Sequence, residues 1–160
     1  MDFRVEVPVV EEIVEGKPDE LVRENALMKA RSAAGERVLG ADTAVVLDGR
    51  DLGKPADAHA AERFLGALSG RVHEVMTGIA VVDAAGERSD VAVTRVRFRE
   101  LGEDDLAWYL STGEWRGRAG GYAIQLRGAA LVESIEGDYT NVVGLPVPAL
   151  LRLVPDLLRG

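Results

Sequence analysis

A chain of 160 residues is the size of one domain, and 47% hydrophobic with 29% charged residues marks it as ordinary globular protein and excludes disorder. Lys and Arg number 19 against 27 Asp and Glu, for a formal net charge of −8, which disfavours nucleic acid polymers but still allows a small anion held by a few inward-pointing cations. The absence of cysteine removes disulfides, thiolate metal sites and thiol nucleophiles; with no basic, apolar leader and no 18-residue apolar run, the expected setting is cytoplasmic, with no membrane partner.

Residues 3–10 alternate Phe3, Val5, Val7 and Val9 with Arg4, Glu6 and Pro8, the period of a half-buried strand, and Glu11 and Glu12 follow it. Pro18 opens a helix that closes at Gly35. Val22, Ala26 and Ala33 share one sector of that helix, and Lys29 falls within it. Val38–Leu47 is a strand ending at Asp48-Gly49, a strong hairpin signal, so 50–53 should return antiparallel until Pro55. A two-residue loop would set Lys54 opposite Thr43, and a one-residue bulge would bring it to the face of Asp42; both remain open. Asp57 caps a helix running to Leu68, with Ser69-Gly70 as its stop. Glu74–Val82 and Val91–Phe98 form a second hairpin, with a bulge expected where the apolar phase shifts between Val93 and Val96. Asp104–Leu110 is a short helix carrying Trp108 and Tyr109, the glycine-rich stretch 113–128 allows only brief strands, and Leu131–Ile135 is a strand. The amphipathic stretch Val147–Leu158 is interrupted by Pro155. Strands and helices without strict alternation indicate a single α/β or α+β domain.

Four segments place charged or amide groups among apolar or glycine-rich neighbours. Asp42 interrupts a strand-forming run, and a buried carboxylate is costly unless paired, hydrogen-bonded or on a metal. Lys54, between Gly53 and Pro55, is suited to a phosphate, although Gly-Lys-Pro is common in loops. Lys29 sits on an apolar helix face, where snorkelling is the plain alternative. In Gly120-Gly121-Tyr122-Ala123-Ile124-Gln125 the glycines permit close backbone approach, and Gln125 offers a donor and an acceptor to a base edge. His59 and His73 have no metal spacing and read as a surface helix position and a strand start. A triphosphate-cleaving site accounts for these groups together: lysines cradle phosphates, carboxylates hold a hard cation, and one carboxylate takes a proton from water. No Walker-type loop or Gly-x-Gly-x-x-Gly fingerprint is present.

The run from Leu39-Gly40-Ala41-Asp42-Thr43 to Asp48-Gly49, then Leu52-Gly53-Lys54-Pro55, then Leu68-Ser69-Gly70-Arg71 through Thr77-Gly78, resembles the Maf nucleotide pyrophosphatases. The stretches Ala119–Gln125 and Ile135–Pro146 resemble two further motifs of that family, in the same order. The resemblance implies an elongated mixed α/β fold, flanking helices in two lobes around a cleft, a homodimer, and a magnesium or manganese ion. It implies Asp42 as proton acceptor, Lys54 and Lys29 as phosphate-facing lysines, Glu11 as the cleft carboxylate sharing the metal with Asp42, and Arg118 as a cation in place of the family's lysine. Thr43 and Gln125 stand where subgroups differ in base preference and resemble the dTTP/UTP type. The activity implied is cleavage of dTTP, UTP or modified pyrimidine triphosphates to monophosphate and pyrophosphate, a housecleaning role, with the family's older association with septum formation.

Two departures bear on this. The family's opening strand and Ser-x-Ser-Pro-Arg-Arg loop are not in the chain, so residues 1–160 are expected to be one Maf-like domain, N-terminally incomplete, through an internal start assignment or decay. The family's Asp-Lys-Ala-Gly is here Gly117-Arg118-Ala119-Gly120, which keeps the positive charge and loses the carboxylate. The rival readings are a nucleotide-binding or regulatory protein with the same fold and no turnover, and an unrelated α/β scaffold in which Asp42 and Lys54 form a structural pair.

Overall fold

In the computed structural model, which describes residues 3–159, the sheet is organised by tight turns. Strand β1 (Arg37–Leu47) meets β2 (Arg50–Asp51) with Leu47 paired to Arg50. Asp48 at φ 52° and Gly49 at φ 76° are the two left-handed positions a type I′ turn requires, so the loop has two residues and no bulge. β2 is shorter than the expected 50–53 because Gly53 turns at φ 66°, with its N–H donated to Asp51 Oδ1 at 2.9 Å. That turn carries Lys54 off the strand line.

β3 (Val72–Asp83) and β4 (Gly86–Phe98) pair without interruption from Asp83–Gly86 to Val72–Arg97, and β5 (Val132–Glu136) closes the order β2-β1-β3-β4-β5, every pairing antiparallel. The bulge expected between Val93 and Val96 is therefore absent from the β3–β4 ladder; the register shift falls at Arg97/Phe98, against β5. The apolar phase changes because the covering helices change. Val91 packs with Val22 of α1 (Pro18–Ser32) on one face, whereas Val96 and Phe98 pack on the opposite face with Leu65 of α2 (Ala58–Leu68) and Tyr109 of α3 (Glu103–Thr112).

The same opposite face carries a second apolar cluster, Ile79 and Val81 under Ala149 and Leu150 of α5 (Val147–Leu153), which ends ahead of Pro155 as expected. Between the two clusters lies a polar band, Thr43, Thr77 and Thr94, plugged by Asn141 of the short helix α4 (Tyr139–Val143). Asp57 caps α2 by accepting from the Ala60 N–H at 2.7 Å.

Residues 3–10 do not form the expected strand. Phe3, Val5, Val7 and Val9 are all exposed, and alternation alone is no structure without a neighbouring strand, which is lacking among the described residues. The α/β class holds. Two glycines decide how closely α1 approaches: a Cβ on Gly40 would lie 2.1 Å from the Ala26 carbonyl oxygen, and one on Gly78 would lie 2.2 Å from that of Val22. Backbone thus packs on backbone, and the polar side chains of α1 reach β1.

Candidate active site

Asp42 pairs across the ladder with Gly78 and lies on the α1 face, two residues from Gly40. Lys29 Nζ sits 2.5 Å from Asp42 Oδ1 and 2.7 Å from Glu12 Oε1. Asn25, only 4% exposed, donates from Nδ2 to Asp42 Oδ2 at 3.2 Å and to the Ile13 carbonyl at 3.0 Å, and accepts the Ile13 N–H at 2.8 Å. Its carboxamide therefore mimics a strand partner for the segment that carries Glu12. Lys54 Nζ approaches the same Glu12 oxygen at 4.0 Å.

Burial alone would lower the Lys29 pKa, but hydrogen bonds to Asp42 and Glu12 outweigh it and hold the ammonium above its ordinary value. The hydrogen bond from Lys29 in turn keeps the Glu12 carboxyl below the usual range. At neutral pH Lys29 and Glu12 are therefore both charged.

Because β2 ends early, its last bond being Leu52 N–H to the Val45 carbonyl at 3.0 Å, the edge of β1 before Val45 is open. A cleft of about 210 Å³ wraps this edge and touches both faces of the strand. On one side stand Asp42, Lys29 and Lys54; on the other, Thr43, Tyr122, Gln125 and Val143. The Gly117–Ala119 loop closes the mouth, tied to the Lys54 turn by Gly120 N–H donating to the Gly53 carbonyl at 2.9 Å. Gly120 has to be glycine: its φ is 66°, and a Cβ there would lie 2.7 Å from the Val45 side chain. Arg118 is exposed on this loop and lines the mouth.

Of the expected residues, Asp42, Lys29, Lys54, Thr43, Gln125 and Arg118 all line one cleft. Glu11 is exposed, and its neighbour Glu12 is the carboxylate that meets Lys29. In a segment without strand pairing, residue parity does not select which of two adjacent glutamates points inward. Asn25 was legible in principle: Val22, Asn25, Ala26 and Lys29 follow the 0, 3, 4, 7 spacing of one helix face. Thr77 and Asn141, both fully buried, had no such signal, because their partners are distant in sequence.

Fold and cleft together describe an α/β protein with a cleft of small-molecule size on an open strand edge, one wall ionic and the other neutral. Residues 1–157 match the Maf-like protein family, and the chain belongs to it. It is 49% identical over 158 residues to a dTTP/UTP pyrophosphatase of Symbiobacterium thermophilum, covering 95% of this chain and 81% of that protein. Similar relatives are the dTTP/UTP pyrophosphatases of Dictyoglomus thermophilum, 43% identical over 166 residues (98% and 86% covered), and of Thermococcus gammatolerans, 47% identical over 156 residues (95% and 84%). Among the described residues no helix is long and apolar enough to cross a membrane.

Proposed function

We propose that this protein is a nucleoside triphosphate pyrophosphatase that cleaves dTTP and UTP to the monophosphate and pyrophosphate. The observation that carries the reading is the convergence of Asp42, Lys29 and Lys54, the lysines joined by Glu12 behind them, at one end of a cleft whose other end is neutral and bears a tyrosine and a glutamine amide. An anionic tail belongs at the first end and a planar base at the second. The names of the relatives point to the same substrates.

In this reading the triphosphate lies along Lys54 and Arg118, whose exposed cations can reach it without first being desolvated. Asp42 takes the proton of the attacking water. One bond forms from that water oxygen to phosphorus, the α–β anhydride bond breaks, and pyrophosphate leaves with the bridging oxygen. Lys29 and Asn25 hold the two oxygens of Asp42, so the carboxylate is oriented before substrate arrives. Gln125 reads the base edge.

Among the described residues no group of three or more His, Asp or Glu is assembled as a metal cage. The donor set nonetheless suits magnesium or manganese, which take one or two carboxylates and leave the remaining positions to phosphate oxygens and water; Asp42 and Glu12 would be those carboxylates. When bound, such an ion supplies charge neutralisation on the phosphates. A homodimer acting on a soluble nucleotide, with no nucleic acid polymer or membrane involved, completes the proposal.

The test is product analysis with dTTP, UTP and GTP in the presence of magnesium or manganese. Equimolar monophosphate and pyrophosphate from the two pyrimidine substrates is expected. Orthophosphate as the product, or equal turnover of GTP, would overturn the assignment.

A further inference from the structure

The polar band under the neutral end of the cleft has a direction. Thr77 Oγ1 lies 3.1 Å from the Asn141 carbonyl oxygen and 2.9 Å from Thr43 Oγ1. A carbonyl cannot donate, so the contact to Asn141 requires the single hydroxyl hydrogen of Thr77. Thr77 then has only lone pairs for Thr43, and the 2.9 Å contact requires the hydrogen of Thr43. Asn141 is itself fixed, its Nδ2 donating to the Val75 carbonyl at 3.0 Å and to Thr94 Oγ1 at 2.9 Å. Thr77, Thr94 and Asn141 are fully buried, so water cannot re-orient the chain cheaply.

We infer that Thr77 is a positioning residue for base selection: by taking the hydrogen of Thr43, it leaves Thr43 Oγ1 in the cleft as an acceptor only, which selects bases that present a ring N–H. Uracil and thymine carry such a donor at the ring nitrogen where cytosine carries a bare lone pair. Two acceptors facing each other repel, and a site built to accept from an N–H discriminates strongly against a ligand lacking it. The inference rests on the reading that the base occupies the Thr43 end. It places the choice between uracil and cytosine in a buried residue that never touches the ligand.

Binding of UTP and CTP to the Asp42→Asn protein by calorimetry tests this without turnover, while pyrophosphate release by the unsubstituted chain tests the pyrophosphatase reading separately. UTP is expected to bind about tenfold or more tightly than CTP, the ratio one hydrogen bond supports. Adding Thr77→Val, which keeps shape and removes the hydroxyl, frees Thr43 to donate and should bring the ratio close to one, chiefly by improving CTP. Thr77→Ser restores the hydroxyl and should restore the preference. A merely structural role would weaken both nucleotides alike. The inference is overturned if the ratio survives Thr77→Val, or if the Asp42→Asn protein shows no preference for UTP.

Discussion

Gly40→Ala is the perturbation whose consequence the packing states most directly. The added methyl would lie 2.1 Å from the Ala26 carbonyl oxygen, 2.7 Å from Ala30 N and 3.0 Å from the Ala30 Cβ. Two of these obstacles are backbone and cannot rotate away. With carbon contacts settling near 3.5 Å, α1 must retreat from β1 by on the order of 1 Å. Overpacking of this kind costs about 1–3 kcal/mol, and at about 2–4 °C per kcal/mol for a domain of this size the melting temperature should fall by roughly 2–12 °C. Lys29 lies between the two helix residues that are pushed, so the lysine moves with them while Asp42 stays on the strand. A misplacement of about 1 Å in a catalytic group can cost on the order of a hundredfold in rate. Thermal melts and pyrophosphate release from dTTP on the purified variant, assayed well below its melting point, measure the two effects separately. A variant with unchanged melting temperature and unchanged kcat would refute the claim that close backbone approach at Gly40 sets the site.

Asn25→Ala should lower kcat about tenfold or more and release the Glu12 segment, seen as loss of hydrogen-exchange protection at the Ile13 amide, which Asn25 accepts at 2.8 Å; native protection at Ile13 would contradict the latch. His73, 2% exposed with Nε2 2.7 Å from the Tyr122 hydroxyl, is held by burial to a pKa of about 4, below the ordinary histidine value of 6.5. The unfolded chain therefore binds the extra proton first. The stability from keeping His73 neutral is complete above pH 6.5 and fades as pH falls towards 4, by about 3 kcal/mol across that window. His73→Gln should flatten the urea-unfolding stability between those pH values relative to the parent, and parallel profiles would show that His73 is not the group responsible.

The parts of this molecule that were legible from sequence are those written in local spacing. Asp48-Gly49 announces the type I′ turn and Asp57 announces the cap of α2, whereas Lys29 on an apolar stripe only singles out a lysine whose partners, Asp42 and Glu12, the fold supplies. The parts that were not depend on what covers a surface. Val93 and Val96 imitate a bulge only because α1 shields one part of the sheet face while α2 and α3 shield the reverse of another. Phe3–Val10 imitates a strand through alternation alone. Whether Glu11 or Glu12 meets Lys29 was decided by a carboxamide 12 residues along the chain from Ile13, with which no local pattern communicates. The Thr43–Thr77–Asn141 chain spans strands and a helix far apart in sequence, and its direction becomes readable only once the oxygens are in place.

The central claim is that Asp42 is the group that takes a proton from the attacking water, and Asp42→Asn tests it most directly. The substitution keeps the size of the side chain and removes its basicity. With UTP and magnesium, pyrophosphate release is expected to fall by about a hundredfold or more, since general-base catalysis alone contributes on the order of 10²–10⁴. Full turnover by Asp42→Asn would contradict the account, and it would reduce the Asp42–Lys29 pair to a structural contact.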